Sequence, residues 1–282
     1  MNIPTREEFL QSIKTDLENE KLILPSFPEV AIKAREAAND ENTTAEELAT
    51  IINTDAALSA RLLKVANSPL FRARSKIENI QIAITRMGSR VVRNLIMSIT
   101  VEQMFNTKSK ILAERFKNAW QHSIQVAAFS RVLAKSTPHL DPEQAMLAGL
   151  FHDIGVLPIL MAAESNPELL ADTDALDQLI NQLHAAVGKL IVEHWDFPDN
   201  LTEVVWEHEN LLRDHQPDAD YSDIVLVANL QTPSKDNHSN NNVDWSTIPA
   251  FSKLGLNHEV EVIEIEGVAE QIEDVEEIFI TA

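Results

Sequence analysis

Apolar residues recur at intervals of three and four along almost the whole chain, and few segments alternate with a period of two. This spacing predicts an all-α fold, a bundle of many helices. Leu48, Ile51 and Ile52 line one predicted helix and Leu58, Leu62 and Val65 the next. A longer pattern carries Ile80, Ala83, Ile84 and Met87, breaks or bends near Gly88, and resumes with Val92, Leu95, Ile96 and Ile99. Thr5 with Glu8, and Thr44 with Glu47, have capping-box spacing and mark helix starts, while Pro25 and Pro28 separate the first helix from the second. The polar patch 106–110, NTKSK, is the best internal boundary, dividing an N-terminal helical part (1–107) from a helical core with an acidic C-terminal helix (108–282). Five further helices are predicted at about 111–136, 142–155, 174–195, 199–212 and 222–231, with an Asn-rich loop at 233–246. In the tail, VEVIEIE alternates like a strand, but Ile272, Val275 and Phe279 fit a helix, and helix is the expectation throughout.

Composition narrows the chemistry. The chain of 282 residues has six glycines and no cysteine, so disulfides and thiolate ligands are excluded and any metal must sit on nitrogen and oxygen. Its N-terminus has no basic flank leading into an apolar core. Apolar runs such as Ile224–Ala228 fall far short of the roughly 20 residues that span a bilayer. A soluble, cytoplasmic protein without membrane contact is expected. The net charge of −21 argues against nucleic acid as a partner, including through the helix–turn–helix-like piece AITRMGSRVVRNL. Charge is uneven. Arg61, Lys64, Arg72, Arg74, Lys76, Arg86, Arg90 and Arg93 lie in a stretch whose one acid is Glu78, whereas 256–282 carries nine acids and no Lys or Arg. Either the two faces pair with each other, or the basic stretch meets a phosphate or an acidic partner.

Four of the nine histidines fall on apolar helix faces. His122 shares a face with Ala119, Val126, Phe129 and Leu133; His152 ends a helix beside Asp153; His184 follows Ile180; His208 follows Leu201, Val204 and Val205. One such histidine is ordinarily a satisfied core residue. Four on four helices, one adjoining a carboxylate, point to a divalent metal site built between facing helices. Asn229 sits in IVLVANL, a run too apolar to leave an amide unpartnered without cost. Gly188, one turn from His184, costs its helix about 1 kcal/mol relative to alanine, so close helix packing or room for a ligand should offset it.

AWQHSIQVA, AGLFHDIG and the later His184, His208 and Asn229 resemble the ordered signature of HD-superfamily phosphohydrolases. LPSFPEV, the D-A-x-L and ANSP pieces, IENIQIAITRMG and HAAVGKLIVEHWDFPDNLTEVVWEHEN resemble the HDOD subfamily, the HD-related output domain, over nearly all of 20–280. The resemblance implies metal ligands at His122, His152, Asp153 and Asn229, and a second-ion set at His184, Glu207 and His208, for Mn, Fe, Mg, Zn or Ni. It also implies a signal-transduction adaptor that contacts other signalling proteins, retains a metal pocket and lacks efficient catalysis. The alternative is a metal-dependent phosphohydrolase, with Asp153 catalytic and a nucleotide or other phosphate as ligand. Two departures favour the adaptor. The superfamily's terminal aspartate is here Asn229, and the lysine of active HD-GYP enzymes, in HDIGK, is here Val156.

Overall fold

The computed structural model describes residues 5–19, 28–71, 76–105, 107, 109–232, 243–258 and 268–280. Among them there is no strand, and fifteen α-helices follow in order: α1 (Arg6–Glu18), α2 (Glu29–Asn39), α3 (Ala45–Ile52), α4 (Ala56–Ala66), α5 (Ile80–Met87), α6 (Ser89–Met104), α7 (Ala113–Lys135), α8 (Pro142–Phe151), α9 (Val156–Glu164), α10 (Pro167–Ala171), α11 (Thr173–His194), α12 (Asp199–Glu207), α13 (Tyr221–Gln231), α14 (Pro249–Lys253) and α15 (Val268–Ile280). Their starts are written in short polar side chains. Thr44 caps α3 in a full capping box with Glu47, Asp141 caps α8 ahead of Pro142, and Asp220 forms a box with Asp223 at α13. Thr5 and Glu8 exchange the same pair of bonds at α1.

The long helix α7 pairs with α8 at the centre, where α8 meets the backbone of α7 at Gly149: a Cβ there would lie 2.6 Å from Ala127 Cα. On one side α6 packs against α8, with α2, α4 and α5 around it. On the other, α11 packs on α9 and α12, with α1 on its outer face. Helix α13 lies across α7, α8 and α12, and α15 lies along α7. One buried apolar cluster runs from Phe9 to Phe279. Arg35 of α2 ties the two sides together by donating to the Trp195 carbonyl at 2.8 Å while lying over the Phe197 ring.

The break or bend expected near Gly88 is a clean break, with φ at 87° and ψ at 152°, backbone angles essentially reserved for glycine. Two expectations differ. The helix expected at 142–155 ends at Phe151. The N–H groups of Ile154, Val156 and Leu157 then bond to carbonyls three residues back, and α9 begins. Pro158 explains the interruption, having no N–H to donate to Ile154 in a continuous helix. The helix expected at 199–212 stops at Glu207, because the chain turns so that Arg213 can bury its guanidinium among Glu203, Asp220 and Asp223. The strand-like tail piece at 259–267 lies outside the described residues, as do 106, 108 and 233–242; beyond it, Ile272, Val275 and Phe279 are buried on α15 as their spacing predicts.

The stretch Pro142–Glu164, the one segment long and apolar enough to cross a membrane among the described residues, is mostly buried inside the fold. Several described residues of the basic stretch hold partners within the fold. Arg61 pairs with Glu102 and also reaches the Ile278 carbonyl of α15, Arg90 pairs with Asp141 at 2.7 Å, and Arg93 donates to Asn39 and Asn94.

Candidate metal centre

Residues 152–155 form a turn between α8 and α9 that is pressed against α11 by two glycines. A Cβ on Gly155 would lie 2.0 Å from the His184 carbonyl oxygen, and one on Gly188 would lie 2.6 Å from Val205 Cγ1. Gly188 therefore serves close packing rather than room for a ligand. Behind the turn, Phe151 packs on Phe197 with ring centroids 5.0 Å apart. Phe197 is brought there by a reversal at Asp196, whose φ is 54°.

This packing brings His122 from α7, His152 and Asp153 from the turn, His184 from α11 and His208 at the end of α12 to one point. Asp153 lies at its centre. Its Oδ2 is 3.3 Å from His152 Nε2 and 3.8 Å from His122 Nε2. Its Oδ1 is 3.3 Å from His208 Nε2 and 3.5 Å from His184 Nε2. The imidazoles thus form two pairs sharing one carboxylate, with Nε2–Nε2 separations of 3.2 Å for His122–His152 and 3.1 Å for His184–His208. Two atoms bonded to one ion at 2.0–2.2 Å, about 90–110° apart, lie about 2.9–3.5 Å from each other. Both Nε2–Nε2 distances and three of the four carboxylate distances fall in that range, and each pair with Asp153 forms a three-ligand set.

The outer nitrogens prepare three of the rings for this role. Nδ1 of His152 donates to Gly149 O at 2.7 Å, that of His184 to Ile180 O at 2.9 Å, and that of His208 to Val205 O at 3.1 Å. Each bond places the lone pair on Nε2, toward Asp153. Without a proton or a cation, two such lone pairs facing each other at 3.1 Å would repel. Beside the cluster, His122 Nδ1 and Asn229 Oδ1 are buried without a hydrogen-bond partner among the described residues. The orphaned amide oxygen of Asn229 and the two imidazole pairs are what a divalent ion with nitrogen and oxygen ligands would satisfy.

Electrostatics point the same way. Burial and the neighbouring His152 push the His122 imidazole down to about 4, and burial likewise lowers His208, so both are neutral at physiological pH. Burial opposes the charge on His152, but adjacent Asp153 outweighs it and raises the imidazole. Burial also opposes the charge on Asp153, yet the surrounding imidazoles hold its carboxyl well below the usual range. The cluster thus sets an ionised carboxylate beside two neutral imidazoles, those of His122 and His208.

Of the residues singled out in the sequence, His122, His152, Asp153, His184 and His208 converge. Asn229 is buried, with its oxygen unpartnered and its side chain in contact with His122. The Glu207 carboxylate lies elsewhere, accepting from Asn210 at 2.7 Å and facing His215 at 3.5 Å. Glu209, which sequence reasoning passed over, instead approaches His184 Nε2 at 3.7 Å. The end of α12 between the two glutamates was the missing signal, since helical spacing from His208 no longer applies beyond it. Val156 is buried at the first position of α9.

The profile of the HDOD domain matches residues 24–211. The chain is 24% identical over 202 residues to an uncharacterised protein of Treponema pallidum (strain Nichols), covering 67% of this chain and spanning 38% of that relative's length. Among solved structures it is similar to a proposed metal-dependent phosphohydrolase from Shewanella amazonensis SB2B, at 28% identity and TM-score 0.81, covering 97% of this chain and 99% of that one. An HDOD domain protein of unknown function from Geobacter sulfurreducens shares the fold at 20% identity and TM-score 0.66, covering 96% and 99%. So does a proposed signal-transduction protein from Marinobacter aquaeolei VT8, at 17% and 0.68, covering 97% and 65%.

Proposed function

Since the chain belongs to the HDOD domain family, we propose that it is a cytoplasmic signal-transduction module that works through contacts with other signalling proteins and keeps a divalent-metal pocket without efficient catalysis. The metal set is His122, His152, Asp153 and Asn229, with His184 and His208 on the far side of the same carboxylate. Manganese, iron, magnesium, zinc or nickel are the candidate ions, and the nitrogen-rich ligands favour the transition metals over magnesium. The observation that carries the non-catalytic reading is Val156. At the place where the resemblance to HD-GYP enzymes puts a lysine, a valine is packed into the core and offers neither charge nor proton. Asn229 supports it, because an amide in place of a carboxylate leaves less negative charge to balance a dication.

The test has two parts. Purified protein with Mn²⁺, Mg²⁺, Zn²⁺ or Fe²⁺ should leave generic phosphodiesters and cyclic dinucleotides intact, and turnover abolished by Asp153→Ala would overturn the reading. Elemental analysis should find near-stoichiometric metal that His152→Ala removes.

A second reading, metal-dependent hydrolysis of a nucleotide or another phosphoester, is favoured by the shared carboxylate, which would hold two ions side by side, and by the similarity to the Shewanella protein. A bound ion pair would supply an activated water and neutralise phosphate charge. This chain would contribute Asp153 and the Nε2 atoms to orient it.

A further inference from the structure

Four imidazoles around one carboxylate leave the charge of the cluster unevenly divided. Resting on the metal-pocket reading above, we infer that Glu209 is the closing ligand on the His184–His208 side, and that this side is the tighter of two subsites for divalent transition ions.

The chain makes Glu209 available by stopping α12. His208 bonds back to the Val204 carbonyl as the last helical donor, and the N–H of Asn210 then turns onto Glu207 O at 2.9 Å. That turn engages the half-buried Glu207 carboxylate with Asn210 and His215. Glu209 is left over the cluster, with Oε2 3.7 Å from His184 Nε2 and a side chain 47% exposed at the rim. An arm so placed can close over an ion after entry, whereas Asp153 is fixed by the buried turn. Its charge also reaches His152, whose imidazole it helps to raise.

The two sides then differ by one charge. The His184–His208 side has two imidazoles, a share of Asp153 and the Glu209 carboxylate. The His122–His152 side has two imidazoles, the other share of Asp153 and the neutral amide of Asn229. A carboxylate offsets the charge of a dication and an amide does not, so the ordering expected from the resemblance, with the His122 set as the primary site, is inverted.

The experiment is a calorimetric titration of the chelator-stripped full chain with Zn²⁺ and with Mn²⁺, alongside Glu209→Gln, Glu207→Gln and Asn229→Asp. Wild-type protein should take up metal in a tight and a weak phase. Glu209→Gln should weaken the tight phase by about tenfold or more and spare the weak one. Glu207→Gln should change neither, and Asn229→Asp should strengthen the weak phase. A tight phase unaltered by Glu209→Gln, or one lost with Glu207→Gln, overturns the inference while leaving the pocket standing. A wild-type chain that takes up no metal overturns the pocket itself, and this inference with it.

Discussion

Arg213 looks unremarkable in the sequence, a cation in a loop, yet its side chain is 1% exposed and holds Glu203, Asp220 and Asp223 at 2.6–2.9 Å. Removing one member of such a buried cluster strands the others. Arg213→Ala is expected to destabilise the fold by about 3–5 kcal/mol, read from urea unfolding. The same cluster sets a pH dependence. Burial opposes ionisation of Asp220, but the bond to Arg213 outweighs it and the folded-state carboxyl lies below its ordinary value. Its contribution is therefore complete above the unfolded value, near 4, and is lost as pH falls through the lower folded value. The urea midpoint should drop below about pH 4, and Arg213→Met should flatten much of that drop. At the candidate metal cluster, four histidines were legible because an imidazole on an apolar face contradicts its own surroundings, and Asp153 because it adjoins one of them. Glu209 was not legible, since an exposed glutamate contradicts nothing.

At the scale of elements, glycine contacts decide how closely helices approach. Gly155→Ala would drive a methyl group into the backbone of α11, which cannot yield as a flexible side chain does. It should cost about 1–3 kcal/mol or more and loosen the turn that carries Asp153, measurable as a lower melting temperature together with weaker metal uptake. Gly88→Ala meets no atom within 4 Å but must adopt a positive φ, so it should cost about 1–3 kcal/mol with metal uptake unchanged. Most elements were legible in the sequence because apolar period and caps agree. Leu48 with Thr44, and Ile80 with Gly88, mark their helices from both directions. The division of α8 from α9 was not, since LFHDIGVLPIL is apolar apart from His152 and Asp153 and periodicity cannot show a break in a segment buried on nearly all sides. Pro158 was the available clue. The short helices α10 and α14 begin with a proline each and are too brief to show a period.

Among the described residues the main buried core reaches from α1 to α15, so the two sides of the fold should unfold together. An ion bound in the pocket then stabilises everything, including helices that never touch it. At a free metal concentration a hundred times the dissociation constant, the gain is about 2.7 kcal/mol. Zn²⁺ or Mn²⁺ should raise the single melting transition and a chelator should restore it. Asp153→Ala should abolish the response, whereas a shift of only part of the transition would mean that the core is not one cooperative unit.

The position of Asp153 between two imidazole pairs has a thermodynamic consequence of its own. Each oxygen faces a different pair, but both belong to one delocalised charge, so an ion on one side draws on what the other side has to offer. Whatever factor the first ion imposes on the affinity of the second, the second imposes on the first, and occupancy becomes a joint property of the cluster rather than of either half.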